Sequence, residues 1–370
     1  MNRYAVLVCA ALTVAVVPAA GQQRLKSEKA RILVETVARG LDHPWGLAFF
    51  SDGRMLVTER AGHLRIVSPD GQVSRPIAGV PRVYVYEGGL LDVALDPKFT
   101  ENRLVYLSYG EPREGGAATA VGRARLNAAN AALENFQVIF QQQPAVANAN
   151  HFGSRLIFAP DGKLFISTGE RGNSDLAQDL STDLGKLIRI NPDGSAPPDN
   201  PFVRRKGARP EIWTYGHRNI QGLAFHPDTG ALWEGEFGPT GGDEINIIEP
   251  GRNYGWPLVS WGENADGSAI PRPPTRPDLV DAIYHWTPSV SFSGMTFYTG
   301  NAIPSWRGDL LLAGLASQAL IRLTLDGTHV TGEERVPVGE RIRHVAQGPD
   351  GFVYILTDED GRILRLRTDR

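Results

Sequence analysis

Phe158-Ala159-Pro160-Asp161-Gly162, followed at once by Leu164-Phe165-Ile166-Ser167, is one copy of a phrase that returns in altered form along the chain. The others are Phe49-Phe50-Ser51-Asp52-Gly53, Ala94-Leu95-Asp96-Pro97, Phe225-His226-Pro227-Asp228, Trp306-Arg307-Gly308-Asp309 and Gln347-Gly348-Pro349-Asp350-Gly351. Each is a turn signal, in which Pro fixes φ and Gly or Asp accepts a tight backbone. Apolar runs with strand chemistry follow, among them Met55-Leu56-Val57, Leu104-Val105-Tyr106-Leu107, Leu310-Leu311-Leu312 and Val353-Tyr354-Ile355-Leu356. Recurrence at roughly forty to eighty residues is the spacing of propeller blades joined by loops of unequal length. Six copies predict an all-β fold, a six-bladed β-propeller of four-stranded antiparallel blades.

The repeat also predicts where chemistry collects. In a propeller the first strand of each blade lines the axis, and the phrase marks where that strand ends. Nine or ten residues before the repeated Asp stand Asp42 and His43, then Glu87, His151, Arg218 with Asn219, and Arg341 followed by Arg343. The fifth copy fails, with Thr299 and Gly300 there. Five blades thus put charged or titratable groups at one structural position, around one end of one channel. The plain alternative is a set of turn and blade-edge residues that satisfy backbone groups.

Residues 1–21 read as a signal peptide: Arg3, an apolar stretch over 4–17, then Pro18-Ala19-Ala20-Gly21. The stretch falls short of the roughly twenty residues of a membrane span, and Arg24 and Lys26 follow it. Cleavage would remove Cys9, the one cysteine, and leave residues 22–370 as a single propeller domain, exported to the periplasm or secreted. With Lys and Arg at 38, Asp and Glu at 41, and both signs interspersed, there is no basic stripe for nucleic acid and no amphipathic basic helix for a membrane surface. Helical periodicity is weak, best over 127–135 and 176–184.

Three segments carry the chemistry. Asn150-His151-Phe152-Gly153-Ser154-Arg155 opens the third blade with an imidazole able to take a proton at neutral pH, or to serve as a structural hydrogen-bonder. Tyr215-Gly216-His217-Arg218-Asn219-Ile220-Gln221 opens the fourth; alternation puts Asn219 and Gln221 on one face and Arg218 on the other, unless a bulge turns both inward. Glu236-Phe237-Gly238-Pro239-Thr240-Gly241-Gly242-Asp243-Glu244 exposes carbonyls beside two carboxylates, hard-cation ligands without EF-hand spacing, or a turn cluster.

Taken in order, these segments resemble the soluble aldose sugar dehydrogenases that use pyrroloquinoline quinone (PQQ), within the glucose/sorbosone dehydrogenase family of six-bladed propellers. Glu87-Gly88-Gly89-Leu90-Leu91, Asn253-Tyr254-Gly255-Trp256-Pro257 and Arg341-Ile342-Arg343 extend the likeness over the mature chain. The resemblance implies oxidation of an aldose at C1 to its lactone, with PQQ and Ca²⁺ as cofactors. It implies His151 as the base and Arg218 against the quinone oxygen, with Glu87, Asn219, Gln221, Arg341 and Arg343 also in the cofactor pocket. The carbonyls of Gly238 and Pro239 match ligands of the Ca²⁺ at the quinone, and Glu244 with Tyr254 a second, structural calcium site.

The chain departs from the pattern at Glu87, where well-known members have Gln. It also departs at Ala316, where some have Lys, and at Ala265, where a related type has an aromatic. The expected partners are an aldose and an electron acceptor such as a periplasmic cytochrome or quinone, for a monomer or homodimer. No dinucleotide fingerprint lies in a strand–helix unit, so a nicotinamide enzyme has no support. Two other readings compete. A calcium-dependent lactonase leaves the Arg218 group and the Arg341–Arg343 pair idle, and a non-enzymatic sugar-binding propeller needs a lost quinone pocket.

Overall fold

Five of the six turn phrases end the strands that line the axis. The computed structural model describes residues 22–264, 266–268, 270 and 275–369. Inner strands run over Pro44–Phe49, Leu90–Leu95, Leu156–Phe158, Ile220–Phe225, Phe292–Phe297 and Ile342–Gln347. Each pairs antiparallel with the apolar strand beyond its turn: Met55–Glu59, Leu104–Arg113, Leu164–Ser167, Leu232–Glu236, Leu310–Gly314 and Val353–Thr357. The inner strands touch in ring order, and the last contacts the first. The chain is therefore a six-bladed β-propeller, as the repeat predicts. The expected leader and the departure at Ala265 lie outside the described residues.

Four blades have four strands. The first has three, and residues 73–77 lie along its edge through Ser74 N to Ile66 O and Ile77 N to Leu64 O. The last has five, because Arg31–Ala38 pairs with Ile363–Thr368 and Gln23–Lys26 adds outside it. Closure by the N-terminal strand covers an edge that an open sheet would leave unpaired. Apolar packing between blades supplies the core, as where Ile32, Trp306, Leu311, Ile342 and Leu364 meet at the closure.

Helix among the described residues is confined to Phe99–Asn102 and two 3-10 turns, Ser174–Ala177 and Pro304–Trp306. The helix expected over 127–135 is instead a turn leading into strand Leu133–Gln141. Asn127 accepts a hydrogen bond from Ala131 N through its side chain, and Asn130 and Asn135 take positive φ, both natural to Asn in a turn. The fifth phrase is also displaced. Its inner strand stops at Phe297, and a connection containing Pro304–Trp306 precedes the next strand. The true fifth position is therefore Ser291, not Thr299 or Gly300.

Five of the six inner strands shift register near their start, at Pro44/Leu47, Leu90/Val93, Ile220/Gly222, Phe292/Met295 and Ile342/His344. A bulge re-aims consecutive side chains. These bulges all lie where the strands enter the same end of the ring, and they set up the site.

Candidate functional site

The strand entrances surround an axial cavity of about 410 Å³. His43, Glu87, His151, Asn219, Gln221, Ser291, Arg341 and Arg343 line it, one or two from each blade. His43, His151 and Ser291 hold φ of 44°, 55° and 48°, a left-handed backbone that turns each side chain off its strand toward the axis. Gly89 answers a tighter need: a Cβ there would lie 2.2 Å from Arg60 O.

His151 is held from two sides. Its backbone N donates to Glu87 Oε2 at 2.7 Å, and its Nδ1 lies 2.7 Å from Glu170 Oε2, which also accepts from Gly172 N. With Nδ1 engaged by a carboxylate, Nε2 is the atom left to meet a ligand. Glu87 acts here only as an acceptor, a part that an amide oxygen fills equally well.

Glu170 is absent from the sequence reading, yet a second repeat announces it. Thr58-Glu59-Arg60, Gly169-Glu170-Arg171, Gly235-Glu236-Phe237 and Thr357-Asp358-Glu359 end or follow the second strands of four blades. Each acid holds a strand entrance: Glu59 accepts from Asp42 N at 2.9 Å, and Glu236 from Arg218 N at 2.5 Å. Asp358 faces His43 Nδ1 at 3.3 Å and Arg343 Nη2 at 3.2 Å.

Arg60, Arg341 and Arg343 make one wall of the cavity cationic, with Asp358 and Glu359 between them. Burial pushes the Asp358 carboxyl up, but Arg343, Arg60 and the His43 bond outweigh it and hold it below the usual carboxylate range. Arg343 is pulled down by burial, and its Nε has no protein partner. On the opposite wall the bulge brings Asn219 and Gln221 together. Asn219 Oδ1 accepts from Gly153 N at 3.0 Å and from Gln221 Nε2 at 3.2 Å. Trp45 stands below, its ring 3.9 Å from the Arg155 guanidinium. Arg155 is tied to Gln221 O, Ser293 Oγ and Arg343 O, and plugs the channel.

Arg218 does not line this cavity. It lies behind Phe237, donates to Phe237 O at 3.3 Å and stacks over Trp256 at 5.5 Å. There it borders a second cavity of about 10 Å³ with Glu236, Gly238, Glu244 and Tyr254. That volume is about one water or ion. Gly238 thus shares a site with Glu244 and Tyr254, whereas the resemblance divides them between two ions. Pro239, next in the loop, packs toward Gly262. Burial raises the Glu244 carboxyl well above its usual range, with Glu236 and Asp281 adding to the rise. A half-buried carboxylate with no Arg or Lys ion pair among the described residues, beside a one-ion space, is a donor set that fits a hard cation. Asp243 serves the loop instead, accepting from Gly238 N, Ser289 Oγ, Val290 N and Ser291 N. Ala316 is exposed, one residue from Leu315, which reaches the axial cavity.

The arginine wall and the unpartnered Arg343 Nε fit a planar, polycarboxylate quinone, since guanidinium groups bind carboxylates by paired hydrogen bonds.

The chain matches the Glucose / Sorbosone dehydrogenase family over residues 41–365. It is 44% identical to the aldose sugar dehydrogenase YliI of Escherichia coli, over 91% of this chain and 93% of that protein. A crystal structure of a glucose dehydrogenase superposes with TM-score 0.88 at 50% identity, covering 90% of this chain and 98% of the other. The PQQ-bound aldose sugar dehydrogenase of Streptomyces coelicolor superposes at 0.77 with 30% identity, covering 92% and 99%.

Proposed function

The chain belongs to the glucose/sorbosone dehydrogenase family, and from that premise we propose that it oxidises aldoses at C1 to the lactone, using PQQ and Ca²⁺. The observation that carries this is the His151–Glu170 pair, with Nε2 turned to a cavity that has an arginine wall. His151 Nε2 takes the proton of the anomeric hydroxyl as the C1–H bond breaks and C1–O becomes a carbonyl. Glu170 balances the charge that the imidazole gains. PQQ would supply the two-electron hydride acceptor that no side chain provides. Arg341, Arg343 and Arg60 would hold its carboxylates, Asn219, Gln221 and Glu87 would frame it, and Arg218 would offset negative charge near it from behind Phe237. Gly238 and Pro239 carbonyls, with Glu244 and Tyr254, would hold Ca²⁺.

Among the described residues no helix is long and apolar enough to cross a membrane. We place the mature protein outside the cytoplasm, beginning near Gly21 or Gln22, passing electrons to a periplasmic cytochrome or quinone. Mass spectrometry of exported protein that still holds Cys9 would remove that placement. The decisive assay is dye reduction by aldose with metal-free, quinone-free protein. Activity should require both PQQ and Ca²⁺, and NAD should not substitute. Lactone hydrolysis without quinone would establish the lactonase instead.

A further inference from the structure

The face of the fourth blade behind Arg218 holds a cluster that this mechanism does not use. Strand Leu232–Glu236 pairs antiparallel with Asp243–Ile247, so that Glu234 stands opposite Asn246 and Glu236 opposite Glu244. Side chains alternate faces along a strand, so these four share one face, with opposed Cβ atoms about 4.5–5.5 Å apart. His217 enters the same face from the loop before Ile220–Phe225, its ring stacked 4.7 Å from that of Tyr254.

The cluster is dry: Glu234 and His217 are 0% exposed, Asn246 1% and Glu236 4%. Among the described residues no Arg or Lys lies within ion-pair distance of Glu234, Glu236 or Glu244; the group in range of the first two is His217. Unpaired buried carboxylates are costly, and facing ones repel. Two oxygens, Glu234 Oε2 and Asn246 Oδ1, have no partner at all. The other halves of those groups bond each other, Asn246 Nδ2 to Glu234 Oε1 at 2.8 Å.

We infer that His217, Glu234, Glu236 and Asn246 bind one divalent transition-metal ion of the zinc class. His217 Nδ1 lies 3.0 Å from Glu236 Oε1 and 3.6 Å from Glu234 Oε1, and one ligand atom from each of the three falls within 4.8 Å of the others. Ligands at about 2.1 Å from a shared ion sit roughly 3.0–3.4 Å apart, close to the spacing His217 Nδ1 already has to the two carboxylates. An imidazole nitrogen among carboxylate and amide oxygens selects zinc over calcium or magnesium. The outer shell is in place as well. Thr214 Oγ1 is 2.9 Å from His217 Nε2, which leaves Nδ1 for the metal, and Glu236 Oε2 accepts from Arg218 N. The ion therefore braces the entrance that carries Arg218 and Asn219. The site adjoins the small cavity at Gly238, Glu244 and Tyr254 and shares Glu236 with its lining, whereas His217, Glu234 and Asn246 do not border that cavity. It stands whatever reaction the axial cavity performs.

The test uses the full mature chain, stripped with chelator and titrated with Zn²⁺ alone, read by elemental analysis and by the zinc-dependent shift of Tm. Wild type should retain one zinc per chain and melt higher with it. Glu244→Gln should keep that zinc, and Glu234→Gln should weaken zinc binding at least about tenfold. Asn246→Asp guards against a Glu234 variant that fails to fold. It adds a ligand charge, so it should hold zinc more tightly and regain stability on zinc addition. A wild type that takes up no zinc, a Glu234→Gln variant with wild-type zinc affinity, or an Asn246→Asp variant destabilised alike with and without zinc would each overturn the site. Those results would leave a proton or a water between the carboxylates.

Discussion

Replacing Glu170 with Gln isolates what the carboxylate does for His151. The variant keeps an oxygen for Gly172 N, so the Arg171–Gly172 turn should survive. What it loses is a charge-assisted bond of 2.7 Å to Nδ1. Hydrogen bonds to charged groups contribute about 1.5–3 kcal/mol. This one matters most when the imidazole becomes cationic, so the loss falls on the transition state. At about 1.4 kcal/mol per tenfold, kcat should drop roughly 10- to 100-fold. PQQ affinity, measured by titrating apo-protein, should not change, because Glu170 does not line the axial cavity. His151→Ala should cost more, about 10²- to 10⁴-fold, as a lost general base does. In the double variant Glu170→Gln should add nothing, since the carboxylate acts only through the imidazole. Steady-state dye reduction with saturating PQQ and Ca²⁺ supplies all four corners of the cycle. A wild-type kcat in Glu170→Gln, or two full independent losses in the double variant, would refute the pairing.

Three further outcomes are expected. Arg218→Ala should lower kcat about 10²- to 10³-fold and also weaken PQQ binding; unchanged cofactor affinity would confine Arg218 to bracing the loop behind Phe237. Glu244→Gln should need more Ca²⁺ to reach a given rise in Tm, while turnover at saturating Ca²⁺ stays near normal; a Ca²⁺ titration of Tm identical to that of wild type would remove Glu244 from the ion. Asp358 is held below the usual carboxylate range in the folded protein, so its stabilisation is present above the unfolded value of about 3.9 and is lost as pH falls through the folded value. Asp358→Asn should therefore lower Tm at neutral pH and converge with wild type in acid, and a constant gap in melting scans across that range would count against it.

The fold was legible because its signal is local and repeated. A Pro-Asp-Gly turn before an apolar strand means the same thing at each occurrence, and the ring needs only a count of occurrences. The fifth blade misled because Tyr298 to Gly308 inserts a second turn phrase after the true strand end. The phrase counted correctly, but stepping back from it reached Thr299 rather than Ser291. Segment 127–135 misled for a different reason. Apolar spacing there suits a helix, but three Asn residues prefer turn geometry, and strand Leu133–Gln141 finds its pairing in Gly116–Leu126.

The site was legible in its first layer and illegible in its second, for a physical reason. An inner-strand residue is fixed by its distance from a turn, which sequence records. The aim of its side chain depends on a bulge and on a carboxylate from the adjacent strand, which only pairing supplies. Glu59, Glu170, Glu236 and Asp358 do this in four blades, and the other two show how the task shifts when the acid is missing. In the second blade Tyr109 stands in register with Glu59, and the bond there is the one from Asp92 N to Ser108 Oγ at 2.8 Å, the counterpart of Gly46 N to Thr58 Oγ1 in the first. In the fifth, Asp243 reaches across from the fourth blade and accepts from Ser291 N at 2.7 Å. Asp243 is thus a carboxylate spent on the ring's own geometry, although its sequence position beside Glu244 made the two look like one pair of metal ligands. The register of Glu236 against Glu244 separates them, since adjacent residues on a strand point to opposite faces. Glu244 faces the ion space, and Asp243 faces the neighbouring blade.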